Sequence, residues 1–133
     1  MYVKLTTDDG IPVTESNGLP IEATPSNAQT QDSGNNAVQT LTRVLVAGKS
    51  HYITSIEVSI SGAAAANDIT VELKDGSTTV WKEIIGSGAP RGERAGIVFN
   101  SPIKLTAGNA ANLVVSAGGT GVITSANMAG YTA

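Results

Sequence analysis

The chain has 133 residues, a formal net charge of −3 and no cysteine. That is enough sequence for one domain with a single core, and it excludes disulfides and thiolate nucleophiles or metal ligands. Eight basic residues spread along the chain make no basic stripe for nucleic acid, and no apolar run approaches the ~20 residues of a membrane span, so neither partner is expected.

The first 36 residues read as an extended N-terminal arm. Their start, MYVKLTTDDG, lacks the apolar core of a signal peptide. Pro12, Pro20 and Pro25 punctuate them, and the stretch SNAQTQDSGNN has no hydrophobic period. The hexad Asp9-Gly10-Ile11-Pro12-Val13-Thr14 returns eight positions later as Asn17-Gly18-Leu19-Pro20-Ile21-Glu22. A solvated terminal tail accounts for the polarity but not for the paired apolar residues. Ile11, Pro12 and Val13, then Leu19, Pro20 and Ile21, form two apolar fragments. In each, proline pre-sets an extended backbone and permits edge pairing only. These six are the expected interface residues, two footholds for docking on a neighbouring subunit.

Residues 37–133 read as an all-β domain, an antiparallel β-sandwich of seven or eight short strands between turn signals. Only 14% of the chain is charged, and Thr, Ser, Asn and Gly do the polar work, which favours strands and turns over helix. A first strand is expected in VQTLTRVLV, at 38 to 46. In HYITSIEVSI the alternation sets Tyr52, Thr54, Ile56, Val58 and Ile60 on one face and Ile53, Ser55, Glu57 and Ser59 on the other. The small-residue segment GAAAAN, at 62 to 67, is a connection too short for a stable helix.

DITVELKDGSTTVWKEII reads as a hairpin, with Ile69, Val71 and Leu73 inward and Thr70, Glu72 and Lys74 outward. Asp75-Gly76 supplies the positive φ of a tight turn, and Val80-Trp81 begins the return strand. After a glycine-rich loop, GIVFN puts Ile97 and Phe99 on one face until Pro102 ends the run. Short strands follow at IKL and at NLVVSA, where Leu113 and Val115 share a face. The last strand alternates Val122, Thr124, Ala126 and Met128.

Chemistry is sparse. His51 is the sole histidine, so a histidine metal site cannot be completed, and no G-x-S-x-G context supports a serine nucleophile. Asp8-Asp9 and Asn67-Asp68 could help to ligate calcium, but turn formation explains both more cheaply. The segment GSGAPRGERAG, at 86 to 96, lacks the G-K-[ST] ending of a phosphate loop and leads into a strand. It reads instead as a contact loop in which Arg91, Glu93 and Arg94 offer three charges within four residues, arginine being suited to interfacial carboxylates. Aromatic residues are 4% of the chain, thin material for a glycan platform. No catalytic site and no cofactor are expected.

The order of an AGK turn, a long strand, a small-residue loop, VELKDGST and then LTAGNAANLVVSAGG with a final strand, over residues 44 to 131, resembles small virion proteins of tailed bacteriophages. The NGLPI motif is similar to the N-termini of phage structural proteins. The resemblance implies a jelly-roll sandwich on the capsid surface of a virion, a homotrimer that decorates or cements the shell. Its implied partners are its own copies and the major capsid protein or another virion protein. The alternative it leaves open is a receptor- or glycan-binding module of a head or tail fibre.

Overall fold

The computed structural model describes residues 27–133, which form eight strands and no helix. The strands are β1 (Asn27–Asp32), β2 (Gln39–Arg43), β3 (His51–Gly62), β4 (Ile69–Asp75), β5 (Thr78–Ile85), β6 (Arg94–Lys104), β7 (Ala111–Val115) and β8 (Val122–Thr132). They make two four-stranded antiparallel sheets, ordered β1-β8-β3-β6 and β2-β7-β4-β5. The all-β expectation and the sandwich architecture hold.

Alternation builds the core. On β4, β7 and β8 every second side chain is buried, and Ile69, Val71, Leu73, Leu113, Val115, Val122 and Met128 meet between the sheets. The β4–β5 hairpin turns where its chemistry requires, with Gly76 at φ 61°. Asp75 stabilises the neighbouring connection as well. Its carboxylate accepts hydrogen bonds from the Thr106 backbone N–H (3.0 Å), the Thr106 hydroxyl (2.7 Å) and the Asn109 amide (2.9 Å).

Four departures from the sequence pattern have physical causes. Ile53, expected opposite Ile56, is buried beside it, because the pairing of β3 with both neighbours shifts register between Ile53 and Ser55. A bulge of this kind resets which face the following side chains occupy. Pro102 does not end its strand. β6 is a sheet edge, and residues 99–102 swing out opposite Thr54, so a residue without an N–H is tolerated there.

β1 lies inside the segment assigned to the arm, ten residues before the expected domain start at 37. It has no hydrophobic period and joins the sheet by backbone pairing from Asn27↔Gly130 to Asp32↔Ser125. Finally, β2 stops at Arg43, short of the apolar residues that follow it. The arm residues Ile11, Pro12, Val13, Leu19, Pro20 and Ile21 lie outside the described residues.

The register also sorts the connections. Residues 33–38, 63–68, 86–93 and 116–121 gather at one end of the sandwich. The turns at 44–50, 76–77 and 105–110 lie at the other, with Asn27 and Ala133.

Candidate interaction surfaces

The charged loop folds onto the end of β3. Gly92 N–H donates to the Ile60 carbonyl (2.7 Å), and Ile60 N–H returns a bond to the Glu93 carbonyl (3.1 Å). This antiparallel exchange fixes the loop backbone and leaves the side chains of Arg91, Glu93 and Arg94 exposed. Arg94 opens β6, and its Nη1 lies 3.2 Å from Glu57 Oε1 across the β3–β6 ladder, with the two side chains 68% and 50% exposed. Such an exposed pair contributes little to stability and remains available for contact.

Two depressions flank this loop. One, of about 490 Å³, runs between residues 83–89 and 93–95. The other, of about 360 Å³, lies beside Gly96, between Ser55, Glu57, Arg94 and Val98. Gly96 makes room here, since a Cβ at this position would run into the Ile56 carbonyl oxygen. The three loop residues therefore sit together, at the end of the sandwich opposite Asn27, where the described chain begins.

At the Asn27 end His51 is buried, 2% exposed. Its Nε2 donates to the Val44 carbonyl at 3.0 Å, which requires the Nε2–H tautomer in the neutral ring, so Nδ1 accepts from the Thr132 hydroxyl at 2.8 Å. Burial lowers its pKa. The Val44 bond raises it in part, and the charge of Arg43 lowers it further. The histidine is a structural clasp between β8 and the β2–β3 connection.

The carboxylates have structural roles as well. For Asp75, burial raises the pKa, but the bonds from Thr106 and Asn109 outweigh it and hold the carboxyl below its ordinary range. Glu72 is likewise lowered on balance. Burial acts against the bonds from Lys82 and Lys74, whose ammonium groups each lie 3.4 Å away on the outer face of the second sheet. Asp68 Oδ1 accepts from Ser87 N–H at 2.7 Å and ties two loops together. Asp8 and Asp9 lie outside the described residues. Among the described residues no group of three or more His, Asp or Glu side chains is placed to hold a metal ion.

Sequence reasoning missed one class of surface residue. Val38, Val44, Leu45 and Val46 flank β2 and are exposed, Val44 to 74%. Val80 and Ile84 on β5, and Ile97 and Val98 on β6, are exposed too, Val98 to 77%. The signal was the phase of β2. Leu41 fixes the inward face, so valines three positions to either side must point outward.

The described aromatic residues pair with one another. Tyr52 and Tyr131 stack at 4.9 Å with Lys104 above Tyr52, and Trp81 meets Phe99 edge to face at 6.1 Å. No protein-family model matches the chain, and no curated protein matches it.

Proposed function

We propose that this chain is a non-enzymatic structural protein of a phage virion, a jelly-roll subunit that decorates or cements the capsid through its N-terminal arm and works as a homotrimer. The observation that carries the reading is the strand order. β1 pairs with β8, β2 with β7, β3 with β6 and β4 with β5, the nested pairing obtained by rolling one long hairpin into two facing sheets. The resemblance of residues 44 to 131 to small phage virion proteins supplies the setting.

Further support comes from the position of the first described strand. β1 is an edge strand, so the chain ahead of it joins the sandwich at a margin rather than through the core. Ile11, Val13, Leu19 and Ile21 then provide the grip, each buried aliphatic side chain contributing roughly 1.5–3 kcal/mol before ordering costs. Many symmetric copies turn a modest contact into firm attachment. Aromatic residues make up only 4% of the chain, thin material for the stacked rings of a glycan-binding module, and this favours the structural reading.

Electron microscopy of particles labelled with antibody against the chain tests the proposal. Regular labelling over the head supports it, and deletion of residues 1–24 should abolish labelling while leaving the sandwich folded. Labelling confined to a tail or fibre tip overturns the capsid role.

A further inference from the structure

Val44, Leu45 and Val46 are 74%, 54% and 42% exposed, and no other three consecutive large aliphatic side chains face solvent among the described residues. Their backbone is tied down. The Val44 carbonyl takes the bond from buried His51, the Val46 carbonyl accepts from Lys49 N–H at 3.1 Å, and the Lys49 carbonyl accepts from Gly108 N–H at 2.8 Å. Three aliphatic side chains thus stand on a fixed platform in water, where a covering segment would relieve their exposure.

The chain itself enters beside this platform. Gln29 Nε2 donates to the Thr42 carbonyl at 3.2 Å, and from that bond β1 runs back to Asn27 while β2 runs on to Val44, both toward the same end. The apolar fragment Leu19-Pro20-Ile21 is separated from Asn27 only by residues 22–26. An extended chain spans ~3.3–3.6 Å per residue, so the fragment can reach about 20 Å from Asn27. Pro20 favours an extended backbone, in which Leu19 and Ile21 share one face.

Charge points the same way. Of the eight basic and eleven acidic residues, Lys4, Asp8, Asp9, Glu15 and Glu22 precede Asn27, which leaves seven of each sign from 27 onward. The whole net charge of −3 is therefore carried ahead of β1. At the Asn27 end Lys49 and Lys104 are exposed and take part in none of the ion pairs among the described residues, while Asp75 is engaged by Thr106 and Asn109. Glu22 directly follows Ile21, so a contact of that fragment with residues 44–46 brings an acid to Lys49.

From these observations we infer that, in the free subunit, Leu19 and Ile21 pack on Val44, Leu45 and Val46 of the same chain, with Glu22 beside Lys49. The short tether holds the fragment at roughly millimolar effective concentration, so at micromolar protein it outcompetes a second copy or a free partner of similar chemistry. Ile11 and Val13 have a longer tether and no acid directly after them, and they stay available to reach outward. The inference does not rest on the virion reading; on a particle, the shell would compete with residues 44–46 for the fragment.

The chain has no cysteine, so engineered pairs report contact without background. Val98 shares a row with Ala28 across the first sheet, about 14 Å away at three strand spacings, and so lies within the tether's reach. At micromolar concentration in a glutathione redox buffer, full-chain Ile21→Cys/Leu45→Cys should close an intramolecular disulfide and Ile21→Cys/Val98→Cys should not. In the cysteine-free chain, Leu19→Asp/Ile21→Asp should speed hydrogen exchange at residues 44–48 by about tenfold, the factor for a fragment docked about nine-tenths of the time. Exchange in β3 and β8 should stay as in wild type, which shows that the sandwich folds, and Glu22→Lys should give part of the rise.

Equal closure in the two cysteine pairs would mean that the fragment roams. Disulfides only between chains would mean that a second copy covers the patch, and unchanged exchange at 44–48 that the fragment does not. Each of these overturns the inference. Particle labelling reads the virion role separately. Labelled heads on a chain whose residues 44–46 stay open would sink only this contact, and a docked fragment on a chain that labels no particle would sink only the virion role.

Discussion

β3 and β8 pair along eleven positions at the centre of their sheet with one bulge between Ile53 and Ser55, whereas the margins are built from strands that are short, bulged or interrupted by proline. β1 has six residues and β2 five, β5 shifts register near Val80, and β6 contains Pro102. The centre has partners on both sides and a buried row between the sheets, so it holds most of the stability. The margins have one free backbone edge each, and the irregularities keep those edges from templating indiscriminate pairing. Their side chains can then be spent on chosen contacts.

The largest effects should come from the centre. Leu113, wholly buried on β7 opposite Leu73, belongs to the core between the two sheets. Leu113→Ala should cost about 2–5 kcal/mol in urea unfolding, the range for a cavity in a packed core. A cost below about 1 kcal/mol, typical of surface sites, would mean that the centre is not where stability lies.

Next comes Asp75, the carboxylate that joins the β4–β5 turn to residues 105–110. Asp75→Ala removes the acceptor for three hydrogen bonds, and the partly exposed setting puts the expected loss at about 1–2 kcal/mol. The pH dependence follows from the sign of the shift. The folded pKa lies below the unfolded value of about 3.9, so the stabilisation is complete above that value and is lost as pH falls below it. Acid unfolding of Asp75→Asn, followed by circular dichroism, should show a flatter pH dependence than wild type below pH ~4.

The same contrast decides what the sequence could disclose. The β4–β5 hairpin was legible because Ile69, Val71 and Leu73 alternate and Asp75-Gly76 supplies the turn, so two local signals agree. Leu113, Val115, Val122 and Met128 were legible on the same basis. Ile53 was not. Its face depends on a bulge, and bulges arise from pairing with a strand some 80 residues away, which leaves no local trace. β1 was hidden for a related reason, since NAQTQD is held by backbone pairing and has no apolar stripe to reveal it. Of the candidate site, the charges of Arg91, Glu93 and Arg94 could be read directly, but the Glu57 partner comes from β3 and appears only with the fold. The exposed valines around β2 were hidden by being apolar, which reads as core until Leu41 sets the phase.

His51 sharpens the comparison at the Asn27 end. Its folded pKa lies below the unfolded value of about 6.5, so the unfolded chain binds the proton more readily. Its contribution is therefore fully present above that value and declines as pH falls toward the folded pKa. Protonation would add a cation beside Arg43 and force the Thr132 hydroxyl to turn from donor to acceptor. The urea midpoint of wild type should fall between pH 7.5 and 5.5, and His51→Gln should remove most of that change. An equal slope in the variant would assign the pH dependence to other groups.

The smallest effect belongs to the Glu57–Arg94 pair at the β6 margin. Both side chains are half or more exposed, so water and salt screen their attraction, and a double-mutant cycle with Glu57→Gln and Arg94→Gln should give a coupling of about 0.2–1 kcal/mol. In 1 M salt, where the screening length shrinks to about 3 Å, the coupling should all but vanish. A coupling above about 2 kcal/mol that survives salt would require the pair to be shielded from water. The isolated subunit does not provide that shield, so such a result would show this margin to be covered in solution.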